Sequence, residues 1–206
     1  MSESPVLVGL PATLQFAENE LNGFPQLIDP QGLALLSDPD LDPTDASIFT
    51  GGSLLVSVTG PGDDDQVSPI DGAGQDVLGL RDFTVPGGVG DSQLVILGED
   101  VILRSAFSDT LIGTIDQDGR DGRPFELQLT ANASIEIVEL LIRNLTYQNI
   151  SDAPTPVRQI TVRVSDRDGN VSEPAQVAVE IVPSVDAIPA TGTERRANTE
   201  SSGIQD

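Results

Sequence analysis

The chain contains no cysteine, histidine, lysine or tryptophan. Without cysteine the fold must hold together without disulfides, and redox chemistry gives no hint of compartment. Histidine is the commonest transition-metal ligand and general base. With cysteine missing as well, a structural zinc site is practically excluded. A Ser–His–Asp triad lacks its base, and the Ser–Lys variant lacks its lysine. Aromatic residues make up 3% of the chain, which leaves little to stack on a sugar, so paired acids for glycoside hydrolysis have weak support. The expectation is that the protein is not an enzyme. No apolar run approaches the roughly 18 residues of a membrane-spanning helix. The N-terminal "MSESPVLVGLPATLQF" has neither a basic start nor a continuous apolar stretch, so it does not read as a secretory signal. Either a leader was removed, export uses another route, or the chain is a fragment.

What is present is acid. The 206 residues carry 33 acidic and 10 basic side chains, a formal charge of −23, and every basic residue is arginine. Aspartates outnumber glutamates 22 to 11. Glutamate suits helix surfaces, whereas aspartate suits turns, caps and hard-cation loops. Such a charge repels phosphate backbones and anionic membranes, which argues against nucleic acid or membrane insertion. It also strains the compact state unless cations condense or bind, and it would suit a saline environment.

Twenty glycines and 15 prolines punctuate short runs rich in Val, Ile, Leu and Thr. That spacing predicts an all-β fold, a sandwich such as the immunoglobulin type. Predicted strands cover 5–10, 13–18, 33–36, 52–60, 92–98, 110–116, 124–130, 158–165 and 176–183. Alternation is clearest in two of them. Ile160, Val162 and Val164 share one face, and so do Val177, Val179 and Ile181, as in half-buried antiparallel strands. "NASIEIVELLIRNLTY" (132–147) instead has helical spacing at 134, 138, 141, 142 and 145. It predicts one short helix at about 133–145, capped by Asn132 or Ser134. Residues 60–91, rich in Gly, Pro and Asp, read as a long excursion between strands. No repeat of fixed period is present. Residues 1–12 read as an N-terminal extension or extra strand, 13–189 as the sandwich, and 190–206 as a flexible or partner-docking tail.

Three acidic knots interrupt the strands: Asp38, Asp40, Asp42 and Asp45 in "SDPDLDPTD", Asp116, Asp118 and Asp121 in "IDQDGRDG", and Asp166, Asp168 and Asn170 in "SDRDGN". Calcium takes six to eight oxygens, and Asp-x-Asp on a glycine turn can supply several of them. None is an EF-hand: the sixth and twelfth positions counted from Asp38 are Pro43 and Phe49. Ordinary turn chemistry is the plainer explanation of any one knot. If the loops after 33–36 and 158–165 meet at one end of a sandwich, Asp38, Asp40, Asp166 and Asp168 crowd together and call for a cation. The 116–121 knot carries Arg120 and Arg123 and can neutralise itself. Asn-x-Ser/Thr triplets occur at Asn132, Asn144, Asn149 and Asn170.

From Glu18 to Pro189 the chain resembles the cadherin-like repeats of giant bacterial secreted adhesins, which are related to chondroitin sulfate proteoglycan repeats and dystroglycan-type cadherin domains. The resemblance rests on "AEN" (17–19), "LLSDPDLD" (35–42), "GGSLLVSVTG" (51–60), "QDVLGL" (75–80), "IGTID" (112–116) and, most specifically, the block from 127 to 170, closed by "VDAIP" (185–189). It implies a cadherin-like sandwich with calcium near the junctions between repeats, held by Glu18, Asp38, Asp40, Asp166, Asp168 and Asp186. Val185 stands where such repeats usually have Asn, and no second repeat follows.

Three functions compete on these grounds. The first is a secreted or cell-surface structural or adhesive module stabilised by calcium, whose partners are neighbouring repeats, surface glycans or proteins. The second is a subunit that assembles with copies of itself through terminal strands and calcium. The third, disfavoured, is a carbohydrate-binding or glycosidase domain.

Overall fold

The computed structural model describes residues 3–39, 48–59, 75–84, 92–151 and 154–184. In chain order the elements begin with β1 (Val6–Val8), β2 (Thr13–Ala17), α1 (Glu18–Gly23), β3 (Gln26–Leu27), β4 (Leu35–Ser37) and β5 (Ser53–Thr59). There follow β6 (Asp76–Leu80), β7 (Phe83–Thr84), β8 (Gln93–Leu97), β9 (Asp100–Arg104), β10 (Asp109–Asp118) and β11 (Phe125–Leu129). The last are α2 (Ile135–Arg143), β12 (Leu145–Asn149), β13 (Val157–Val164) and β14 (Ala175–Val182).

The fold is all-β, as the sequence predicts. Nine strands form one sheet in the order β2-β14-β13-β5-β11-β10-β9-β8-β7, three form a second in the order β3-β12-β6, and β1 and β4 pair as a ribbon. The β2–β14 pair is parallel, with Thr13 opposite Ala178 and Ala17 opposite Val182. All other pairs are antiparallel. The core lies under the middle of the large sheet, where Leu54, Val56, Ile160, Val162, Val164, Val177 and Val179 are fully buried against Tyr147, Val138 and Leu141. At about 25 cal/mol per Å² of apolar surface, each such side chain contributes roughly 1.5–3 kcal/mol. The predicted inward phase of β13 and β14 is therefore the observed one.

Ser134 starts α2: its hydroxyl accepts the Ile137 N–H at 3.4 Å, and Val138, Leu141 and Ile142 face the core. The sequence foresaw one helix, but a second exists. α1 turns the chain out of β2 where a strand was expected to continue to residue 18, and Glu20 locks it by accepting the Ala17 N–H at 3.1 Å. The stretch 60–91 is not all excursion either. Asp76–Leu80 pairs along its length with β12, and Phe83–Thr84 edges the large sheet. β1 pairs with β4, so residues 1–12 include an extra strand.

Candidate metal centre

The "SDRDGN" turn joins β13 to β14 and is anchored on both sides. The Ser53 N–H donates to Ser165 Oγ at 2.8 Å, and the Arg167 N–H donates to the Ile48 carbonyl at 2.8 Å. Gly52 lies so close that a Cβ there would stand 2.0 Å from the Ser165 carbonyl oxygen. Ile48 closes the acidic segment that begins at Asp38, and Asp38 is 6% exposed. Ile48, just past the first knot, thus touches the turn that carries the third knot. Asp40, Asp42 and Asp45 lie outside the described residues, as does Asp186.

Within the turn, Asp166 is 3% exposed and its carboxylate faces inward. Oδ1 accepts the N–H groups of Asp168 and Asn170 at 2.8 and 2.9 Å, and Oδ2 accepts Asn170 Nδ2 at 2.7 Å. Three donors from its own loop consume most of its accepting capacity. Asp166 is thereby explained as the keystone of the turn, while Asp168 is exposed.

Glu18 sits elsewhere. It follows the last residue of β2, and its Oε2 accepts the Ser184 N–H at 3.1 Å, just beyond β14. That ties the early acidic residue to the segment that continues toward Asp186. This pole lies where β13 begins and the turn lies where it ends, eight residues away, roughly 25 Å at strand rise. Glu18 and Asp166 cannot share an ion. Among the described residues, Glu18 and the Asp166–Asp168 turn thus lie at opposite ends of the sheet.

The second knot neutralises itself, as Arg123 suggested it could. Arg123 Nη2 lies 3.0 Å from Asp118 Oδ1 and 3.9 Å from Asp121 Oδ2. Asp116 is the extra residue where the β10–β11 register shifts, and it is exposed. Asp121 takes φ 55° in the hairpin turn, a conformation that Asp and Asn tolerate. Among the described residues no three acidic side chains converge as a metal shell.

The sequence reading missed the most deeply buried charges. Arg158, on the inward face of β13, is 2% exposed, and its Nε stands 3.0 Å from Oδ2 of Asp76, itself 3% exposed on β6. The Tyr147 hydroxyl donates to Asp76 Oδ1 at 2.7 Å and Asn149 Nδ2 donates to the same oxygen at 2.6 Å. One carboxylate thus ties the large sheet to the small one. Burial pushes the Asp76 pKa upward, opposed by the Tyr147 hydrogen bond and the Arg158 charge. Burial and the Asp76 charge together push the Tyr147 phenol far above its usual range. A signal existed: Arg158 is in phase with Ile160 and Val162, and an arginine on a core face demands a carboxylate. The same burial removes two of the four Asn-x-Ser/Thr sites, since Asn144 and Asn149 are buried.

No protein-family model matches the chain, and no curated protein matches it.

Proposed function

We propose that this chain is an extracellular, secreted or surface-held, structural or adhesive β-sandwich module of the cadherin-like adhesin type, stiffened by calcium at its ends. The observation that carries this is the division of acidic groups between two poles. Glu18 clamps the segment leaving β14 at one. Asp168 stands exposed on the turn at the other, which the Arg167–Ile48 contact holds. The donors are hard oxygens only, which fits calcium and disfavours softer metals. The resemblance would add Asp186 to Glu18, and Asp38 and Asp40 to Asp168. Backbone carbonyls and water would complete six to eight ligands. Bound calcium would offset like-charge repulsion and fix the loops, a structural and not a catalytic role.

Calorimetry in calcium and in chelator tests this. At calcium a hundred times its Kd, one site adds about 2.7 kcal/mol, which in a domain of this size raises Tm by roughly 5–10 °C. Asp38→Asn and Asp168→Asn should each shrink that increment and leave melting in chelator within about 1 °C of wild type. Identical melting in calcium and in chelator would sink the proposal.

A second reading, self-association, is favoured by apolar surface. On the β1–β4 ribbon Leu7 and Leu36 face inward, while Val6, Val8 and Leu35 face outward and are about half exposed, with Leu33 beside them. Among the described residues β1 pairs with β4 alone.

A further inference from the structure

Asp29, just past β3, is 2% exposed, yet among the described residues no arginine is paired with it. Its two carboxylate oxygens fare differently. Oδ2 accepts the Ala34 N–H at 2.7 Å, whereas Oδ1, buried as well, has no hydrogen-bond partner. The turn is held by its own backbone, where the Gly32 N–H donates to the Asp29 carbonyl at 3.2 Å. Arg143 lines a neighbouring cleft together with Asp29. Its guanidinium is committed elsewhere, to the Ala34 carbonyl at 2.9 and 2.6 Å and to Glu139 at 3.1 Å. A buried carboxylate oxygen with neither counter-charge nor donor is costly, so Asp29 calls for a cationic donor from outside the fold.

Asp29 also lines a hollow of about 140 Å³ between the segment 9–14 and the turn 29–33. Most of the wall is aliphatic: Gly9, Pro11, Leu14, Pro30 and Leu33. Besides Asp29, the polar side chains are those of Thr13 and Gln31. Pockets for drug-sized ligands run to about 300–1,000 Å³, so this one admits a small group only. A hard metal ion wants roughly six to eight oxygens, and an aliphatic wall with three oxygen-bearing side chains is poor in them. A primary ammonium suits it better. It is a compact charge with three N–H donors on a flexible aliphatic stem. The stem can lie along prolines and leucines while the head meets the carboxylate and the polar rim.

We propose that this hollow binds a primary alkylammonium group, with Asp29 as its counter-charge and Oδ1 as the acceptor of one of its N–H groups. A chain carrying −23 draws cations toward it. The chain has no lysine, so a lysine side chain in the hollow would belong to another protein; the other source of the same chemistry is a free amine. The site uses none of the residues of the calcium reading and does not rest on it.

Proton–nitrogen NMR of the full chain, titrated in chelator with n-butylammonium chloride and with sodium chloride as the ionic-strength control, tests this. The expected result is saturable shifts at Ala34, whose N–H reports on the Asp29 carboxylate, and at Thr13 and Leu14. n-Butanol, which lacks the charge, should leave them unmoved. Asp29→Asn, which keeps an acceptor for the Ala34 N–H, should raise the Kd at least about 10-fold. Leu33→Arg, at an exposed lining position, sets a tethered cation at the mouth and should do the same. Tighter binding of Nα-acetyl-lysine methylamide than of n-butylammonium would assign the site to a partner's lysine, and the reverse to a free amine; either supports the proposal. Shifts that do not saturate with either amine overturn it and leave Oδ1 to a buried water. Equal binding of n-butanol overturns it, as do Asp29→Asn and Leu33→Arg chains that bind as wild type does. A separate calcium titration that saturates the same signals and displaces the amine also overturns it. If Asp29→Asn does not fold, Leu33→Arg decides alone.

Discussion

Removing the Arg158 guanidinium while keeping its bulk, as in Arg158→Met, isolates the buried charge that ties the two sheets. Asp76 would keep the hydroxyl of Tyr147 and the amide of Asn149 as donors but lose the cation 3.0 Å away. A buried carboxylate stripped of its counter-charge costs about 3–5 kcal/mol. A domain of this size loses roughly 2–4 °C of Tm per kcal/mol, so Tm should fall by about 10 °C. Urea unfolding followed by circular dichroism should show a lower midpoint with an unchanged slope. The loss should be the same in calcium and in chelator, because the pair lies in the core and not at a pole. Adding Asp76→Asn to Arg158→Met should recover part of the loss, since neither charge is then left alone; the double-mutant cycle measures that coupling. A loss below about 1 kcal/mol for Arg158→Met would refute the account, because only a solvated pair is that cheap to break.

The raised pKa of Asp76 means that the folded state holds its proton more tightly than the unfolded chain does. Its ionisation cost is fully present above the folded pKa and is relieved as pH falls toward the ordinary carboxylate value, so this group's contribution to stability rises on acidification. Comparing wild type with Asp76→Asn in urea at pH 7 and pH 5 should show the larger gain in wild type. Gly52→Ala should cost about 3 kcal/mol in chemical denaturation, because its Cβ would meet the Ser165 carbonyl oxygen at 2.0 Å; a neutral result would mean the two loops are further apart. Asp166→Ala should cost about 3 kcal/mol by leaving three donors of its turn without an acceptor. Melting curves in calcium and in chelator should show the same loss, and a loss confined to calcium would make Asp166 chiefly a ligand.

The strands that were legible are those whose alternation has one wet face. β13 and β14 announce their inward residues, and Ser134 announces the start of α2. β6 and β12 were harder because both are largely buried and lie beside turns, so their period is masked by Asp76, Thr146 and Asn149, polar residues on positions that proved internal. α1 is only six residues long and its N-cap, Ala17, has no side-chain acceptor, so propensity alone could not mark it. The three knots were visible as composition. Their fates differ through contacts distant in sequence: Arg123 for the second, Ile48 for the third and, for Glu18, a backbone N–H 166 residues away. Arg158 carried a readable signal in its phase, but its carboxylate lies on another sheet, 82 positions earlier.

The parallel pairing of β2 with β14 also decides how the domain carries mechanical load. Tension drawing the start of β2 and the end of β14 in opposite directions runs along the strands, so it shears the five paired positions from Thr13 to Ala17 together. An antiparallel closure would unzip rung by rung under the same pull. A domain closed this way resists stretching along the strand direction.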